Sequence, residues 1–164
     1  MATKQIEVER FSVVSAKPFA EIIEAIDTAI GHPDMAAFRN KITAAPSFAA
    51  IESVVREAVG PSGFMQFIRF DLGEIIQKDR GERSPRSVRI LVGNPLIMKQ
   101  MVEQVADAGS YAPVTILIDE RRNGVHLSYD RMASFLASYE NAQVSKVARE
   151  LDAKVEVLLT GAAG

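Results

Sequence analysis

Two apolar runs, Pro113 to Asp119 and Val125 to Tyr129, flank the dipeptide Asn123-Gly124. Asn-Gly favours a tight turn with positive φ, so the two runs are expected to fold back on each other as an antiparallel hairpin. Phe64 to Leu72 and Ser87 to Val92 add two further segments of apolar and β-branched character, read as strands. Ile6 and Val8 share one parity and Phe11 and Val13 the other, which predicts an opening strand with a bulge between Glu9 and Arg10.

Helical spacing fills the intervals. Phe19, Ile22, Ile23, Ile26 and Ile30 recur on one face after Pro18 and stop at Gly31. Met35, Phe38 and Ile42 mark a second helix up to Ala45-Pro46, and Ser47 caps a third with Ile51, Val54 and Val55 on its apolar side. Glu74 to Pro85, charged and carrying Gly81 and Pro85, is predicted to be an exposed connection. Gly93-Asn94-Pro95 closes a strand and opens a helix with Ile97, Met98 and Met101, while Met132 to Tyr139 and Val144 to Leu158 predict a short helix followed by a long one. Clustered strands, rather than strict strand and helix alternation, make the fold class α+β, an antiparallel sheet with helices packed on one face. A length of 164 residues fits one domain over 1–164.

Nineteen Lys and Arg against twenty-one Asp and Glu leave a formal charge of −2, so no global cationic field attracts phosphate backbones or anionic lipid. Arg80, Arg83, Arg86 and Arg89 are interrupted by acids and lack interleaved aromatics, which reads as a solvated loop rather than a nucleic-acid stripe. With no Cys there is no disulfide, thiolate nucleophile or cysteine metal site, and His32 and His126 are the only imidazoles. No metal and no cofactor is implied. Met1 to Arg10 holds no apolar segment of signal-peptide length, and no stretch approaches 18 uninterrupted apolar residues. The expected setting is the cytoplasm.

Alternate strand residues emerge on opposite sheet faces. One parity, including Ile68, Phe70, Val88, Ile90, Val92, Ile116, Ile118 and Leu127, is apolar and is expected to face the helices. The other holds Met65, Phe67, Arg69, Asp71, Ser87, Arg89, Leu91, Thr115, Leu117, Asp119, His126 and Ser128. That mixture is too polar for a dry core and too apolar for a simple wet surface, and suits a subunit interface or the floor of a ligand site. Arg69 and Arg89 offer planar forks of donors that match a carboxylate or phosphate; the alternative is pairing with Asp71, Asp119 or another acid. Asn94 sits where a strand enters a helix, a place where backbone donors attract anions, although the surrounding residues form neither a Walker loop nor a GxGxxG motif. A histidine's reference pKa lies near neutrality, which makes His126 a candidate acid, base or metal ligand, and Ser128 shares its side, yet two residues without an orienting third make no triad.

Gly93-Asn94-Pro95, Ala112-Pro113-Val114 and the run Gly124-Val125-His126-Leu127-Ser128-Tyr129-Asp130 together resemble the family called domain of unknown function 302, most closely from about Phe64 to Asp130. The resemblance implies a compact α+β fold, similar to a single TATA-binding-protein-like repeat, that pairs as a dimer. It implies no reaction. Against that small core, the helices at about 33–59 look like an insertion and the helix at about 143–161 like a carboxyl-terminal extension. The function expected from all of this is a cytoplasmic homodimeric binding or interaction domain with a small-anion pocket on or beside the sheet. Its tentative ligand residues are Arg69, Arg89, Asn94, His126 and Ser128, with no membrane or nucleic-acid partner. The alternative is a small enzyme using His126 in acid-base chemistry with Ser128, Tyr129 or a nearby carboxylate.

Overall fold

A computed structural model describes residues 3–80 and 84–164. The strands are β1 (Arg10–Ser15), β2 (Met65–Asp71), β3 (Ser87–Gly93), β4 (Val114–Arg121) and β5 (Gly124–Asp130). They form one sheet in the order β1-β5-β4-β3-β2, antiparallel throughout. The helices are α1 (Phe19–Ala29), α2 (Met35–Ala44), α3 (Phe48–Ala58), α4 (Leu72–Arg80), α5 (Pro95–Val102), α6 (Met132–Leu136) and α7 (Ala142–Ala163). The class is α+β. Among the described residues no helix is long and apolar enough to cross a membrane.

The hairpin forms where Asn123-Gly124 placed it: Arg121 pairs with Gly124, whose φ of 129° only glycine adopts at no steric cost. From the turn outward, Val125 and Leu127 of β5 face the same side as Ile116 and Ile118 of β4 and Val88, Ile90 and Val92 of β3. These side chains are buried against Ile22 and Ile26 of α1 and a stripe on α7 at Val144, Ala148, Leu151, Val155 and Leu159. Each fully buried branched side chain contributes about 1.5–3 kcal/mol relative to exposure, so this layer carries most of the cohesion.

Polar caps set where the helices begin. Asp34 Oδ1 accepts the Ala37 N–H at 2.7 Å, Ser47 Oγ the Ala50 N–H at 3.3 Å, and Asn141 Oδ1 the Val144 N–H at 3.0 Å. Helices α2 and α3 enclose a second, smaller core of Phe38, Val55 and Met65, joined by Phe67 and Leu96 at its margin. Two glycines bring this pair up to the sheet. The N–H groups of Gly31 and Gly60 both donate to the Phe64 carbonyl, at 2.8 and 2.9 Å, and a Cβ on Gly31 would overlap the Ala58 carbonyl oxygen.

Three elements differ from the expectation. The opening strand starts at Arg10 and carries no bulge; its partner β5 ends at Asp130, opposite Arg10, and Glu9 before it is held instead by the start of α6, its carbonyl accepting the Arg131 N–H at 2.9 Å. Part of the expected connection after β2 is the helix α4, begun by Asp71 Oδ1 accepting the Glu74 N–H at 2.9 Å and braced by a Glu74–Lys78 pair at 2.8 Å. Gly81, Glu82 and Arg83 of that segment lie outside the described residues. The third difference is in β2. Met65 pairs with Gly93 and Gln66 with Val92, but the register then shifts at Phe67, so that Ile68 opposes Leu91, Arg69 opposes Ile90 and Phe70 opposes Arg89. Residues directly opposite share a face. The bulge therefore reverses the parity assigned to the rest of the strand. Arg69 and Asp71 lie on the helix side, and Ile68 and Phe70 on the open side.

Candidate ligand site on the open sheet face

The open face has a core of apolar floor and polar edges. Leu91 of β3 and Leu117 of β4 form the floor, with Arg89 between Phe70 and Leu117 in register, and Ser128 of β5 on the far side of Leu117. A concavity of about 560 Å³ rests on these residues, together with Thr115, Arg10 and Asp130. That volume lies within the range of small-molecule sites.

One wall rises from the segment that leads into β4 and from α6. The Tyr111 and Phe135 rings stack there with centroids 4.7 Å apart and planes 14° from parallel, beside Pro113. Two hydrogen-bonded anchors hold this wall. Tyr139 donates its hydroxyl to Asp107 Oδ2 at 2.7 Å, which ties the end of α6 to the 3₁₀ turn at Ala106–Ser110. On the helix side, Asp152 of α7 takes the Tyr129 hydroxyl at 2.6 Å and the backbone N–H groups of Met132 and Ala133 at 2.8 and 3.1 Å. A buried carboxylate thus caps α6, the helix that carries Phe135. Burial pushes the Asp152 carboxyl above its ordinary range in spite of these bonds, and burial followed by the nearby Asp152 pushes the Tyr129 phenol up.

Charge on this face is unevenly compensated. Arg10 donates to both Asp130 oxygens, Nε to Oδ1 at 2.6 Å and Nη2 to Oδ2 at 2.9 Å. Arg121 holds Asp119 in the same forked manner, at 2.6 and 3.2 Å. Arg89 differs: its Nη2 reaches only the Thr115 hydroxyl, at 3.4 Å, and among the described residues no carboxylate stands within 4.0 Å of it. Ser128 is 7% exposed, and among the described residues its hydroxyl has no hydrogen-bond partner.

Of the five candidate residues, the fold brings Arg89 and Ser128 to one concavity. Arg69 is separated from them by the β2 bulge and forms a forked ion pair with Asp27 of α1, the acid pairing weighed above, with an acid other than Asp71 or Asp119. The Asn94 side chain is committed at the start of α5, where Oδ1 accepts the Leu96 N–H at 2.9 Å and Nδ2 donates to the Gly63 carbonyl at 3.0 Å. His126 lies on the open face toward the hairpin, with Nε2 2.8 Å from Asn123 Oδ1 and outside the lining of the concavity. Tyr129 points to the helix side, so His126, Ser128 and Tyr129 do not converge. Among the described residues no group of three His, Asp or Glu is placed to hold a metal ion. Sequence reasoning missed Asp152 and the Tyr111–Phe135 wall. The signal for Asp152 was available: an acid on the apolar stripe of α7, four residues from Ala148 and three from Val155.

Sheet order, helical cover on one face and a concave opposite face define an α+β protein. The chain belongs to the family described as domain of unknown function DUF302, whose model matches residues 40–161. The crystal structure of an uncharacterized conserved DUF302 protein from Bacillus stearothermophilus is similar over 93% of this chain and 97% of that one, with 14% identity and a TM-score of 0.64. That likeness extends the shared architecture upstream of the matched segment, to β1 and α1. No curated protein matches the chain.

Proposed function

We propose that the chain is a homodimeric binding module that holds a small anion on the open sheet face, with Arg89 as its anchor. The observation that carries this reading is the guanidinium of Arg89, which meets no carboxylate among the described residues on a face where Arg10 and Arg121 already have theirs. A guanidinium offers two parallel donors to one anion, which supplies both orientation and affinity.

A second copy is the occupant assigned to the apolar rim at β2 and α4. Ile68 and Phe70, on the open side of the outer strand β2, are each 42% exposed, and Ile75 and Ile76 of the α4 that follows are 71% and 40% exposed. Solvated side chains of this size in one patch mark an association surface. The adjoining α4 carries both signs, in the Glu74–Lys78 and Asp79–Arg80 pairs, so a two-fold mate meets this surface with opposite charges. Thr115 and Ser128, two and three strands away from β2, stay reachable from solvent.

Native mass spectrometry of freshly purified protein tests both parts together. The expected spectrum shows a dimer with a small acidic molecule that leaves on denaturation. A bare monomer at micromolar concentration would overturn the reading.

A further inference from the structure

We infer that the ligand is a monocarboxylate with a compact apolar body and an uncharged polar group at its far end, an inference that rests on Arg89 as the anion anchor. The first ground is charge. Arg10 and Asp130 cancel at the edge of the concavity, which leaves the single positive charge of Arg89. A monoanion satisfies that charge, whereas a dianion brings a second negative charge toward Asp130 with no cation to receive it.

The second ground is shape. Leu117 separates Arg89 from Ser128 in the sheet, so these residues stand two strand spacings apart, about 10 Å between backbones. A ligand whose carboxylate lies on Arg89 and Thr115 must cross Leu117 before it meets Ser128. The path between is apolar: Leu91 and Leu117 below, Pro113 and the stacked Tyr111–Phe135 pair beside it. At its end the Ser128 hydroxyl, in a residue 7% exposed, has no hydrogen-bond partner among the described residues. A hydroxyl that opens onto a cavity gains from a ligand hydroxyl or carbonyl and loses no protein bond already formed.

Titration calorimetry with 3-(4-hydroxyphenyl)propionate, its primary amide, 3-phenylpropionate and inorganic phosphate tests this directly. The hydroxylated acid is expected to bind the native protein, and Arg89→Gln to weaken it by about tenfold or more. Ser128→Ala is expected to weaken the hydroxylated acid several-fold and to leave 3-phenylpropionate unchanged, a split that general damage to the fold does not produce. Arg121→Gln, on the same face but outside the concavity, serves as the control, and melting curves confirm that each variant folds. If phosphate binds in an Arg89-dependent way and neither acid does, the anion anchor stands and the ligand class is overturned. If the amide binds as tightly as the acid, or no probe binds, the anchor itself falls and this inference with it.

Discussion

Asp152 does more for the geometry of the open face than any residue that lines it. Its two oxygens receive three donors, the Tyr129 hydroxyl and the N–H groups of Met132 and Ala133, while its own exposure is 5%. In Asp152→Asn an amide nitrogen replaces one acceptor and faces a donor, which costs about 1–3 kcal/mol of stability in urea denaturation. The same cluster gives stability a pH dependence at the alkaline end. Burial and Asp152 hold the Tyr129 phenol above its ordinary 10.0 in the folded chain. The folded chain therefore keeps a proton that the unfolded chain releases as pH passes 10. The contribution is fully present below pH 10 and declines above it, by about 1.4 kcal/mol per pH unit. Stability curves measured from pH 8 to 11 are expected to show that additional slope in the native chain and to lack it in Tyr129→Phe. An identical slope in both would show that the phenol keeps its ordinary affinity for protons. The sequence pattern held a trace of this cluster, an acid on the buried stripe of α7, but its partner lies 23 residues away and only the fold reveals it.

At the level of elements, the regular parts of the sheet were legible because one physical rule governed each. Val88, Ile90 and Val92 alternate cleanly, Asn123-Gly124 turns, and Phe19, Ile22 and Ile26 share one side of a helix. β2 was not legible from alternation alone. Phe67, Ile68 and Phe70 are apolar on both parities, so either phase has apolar residues to bury, and the extra residue at Phe67 decides between them. α4 escaped because Leu72, Ile75 and Ile76 are few among charges, and its start depends on Asp71, which was assigned to a sheet face. Asn94 is the converse case, a residue legible as a helix start that also suggested an anion site. Since its amide caps α5 and holds the Gly63 carbonyl, Asn94→Ala is expected to lose about 1 kcal/mol or slightly more, read from chemical denaturation. Binding of 3-(4-hydroxyphenyl)propionate should be unchanged by it. A large loss of binding with stability intact would place Asn94 at the ligand instead.

The whole molecule has two unlike sides, and this division was foreseen more accurately than its membership. One side is sealed by α1 and α7, and the other combines Leu91, Leu117, Thr115, Ser128 and Arg89 much as expected. Arg69 was assigned to the wrong side, and Ile68 and Phe70 with it, because a single inserted residue exchanges everything after it. Those two apolar side chains now give the open side its exposed rim. For the proposed dimer, Phe70→Glu is expected to give a monomer in sedimentation across a dilution series, with the melting temperature little changed at high concentration beyond the loss of linkage to assembly. A dimer of undiminished stability would assign the mate to another surface.

The extra residue in β2 also bears on how relatives of this chain diversify. Removal of one amino acid at Phe67 would bring Gln66, opposite Val92, directly before Ile68, opposite Leu91, so Arg69 would keep its place opposite Ile90 and its partner on α1, and Ile68 and Phe70 theirs on the open side. Length variation at this point of the edge strand is thus absorbed by the bulge, with the faces of all later side chains preserved.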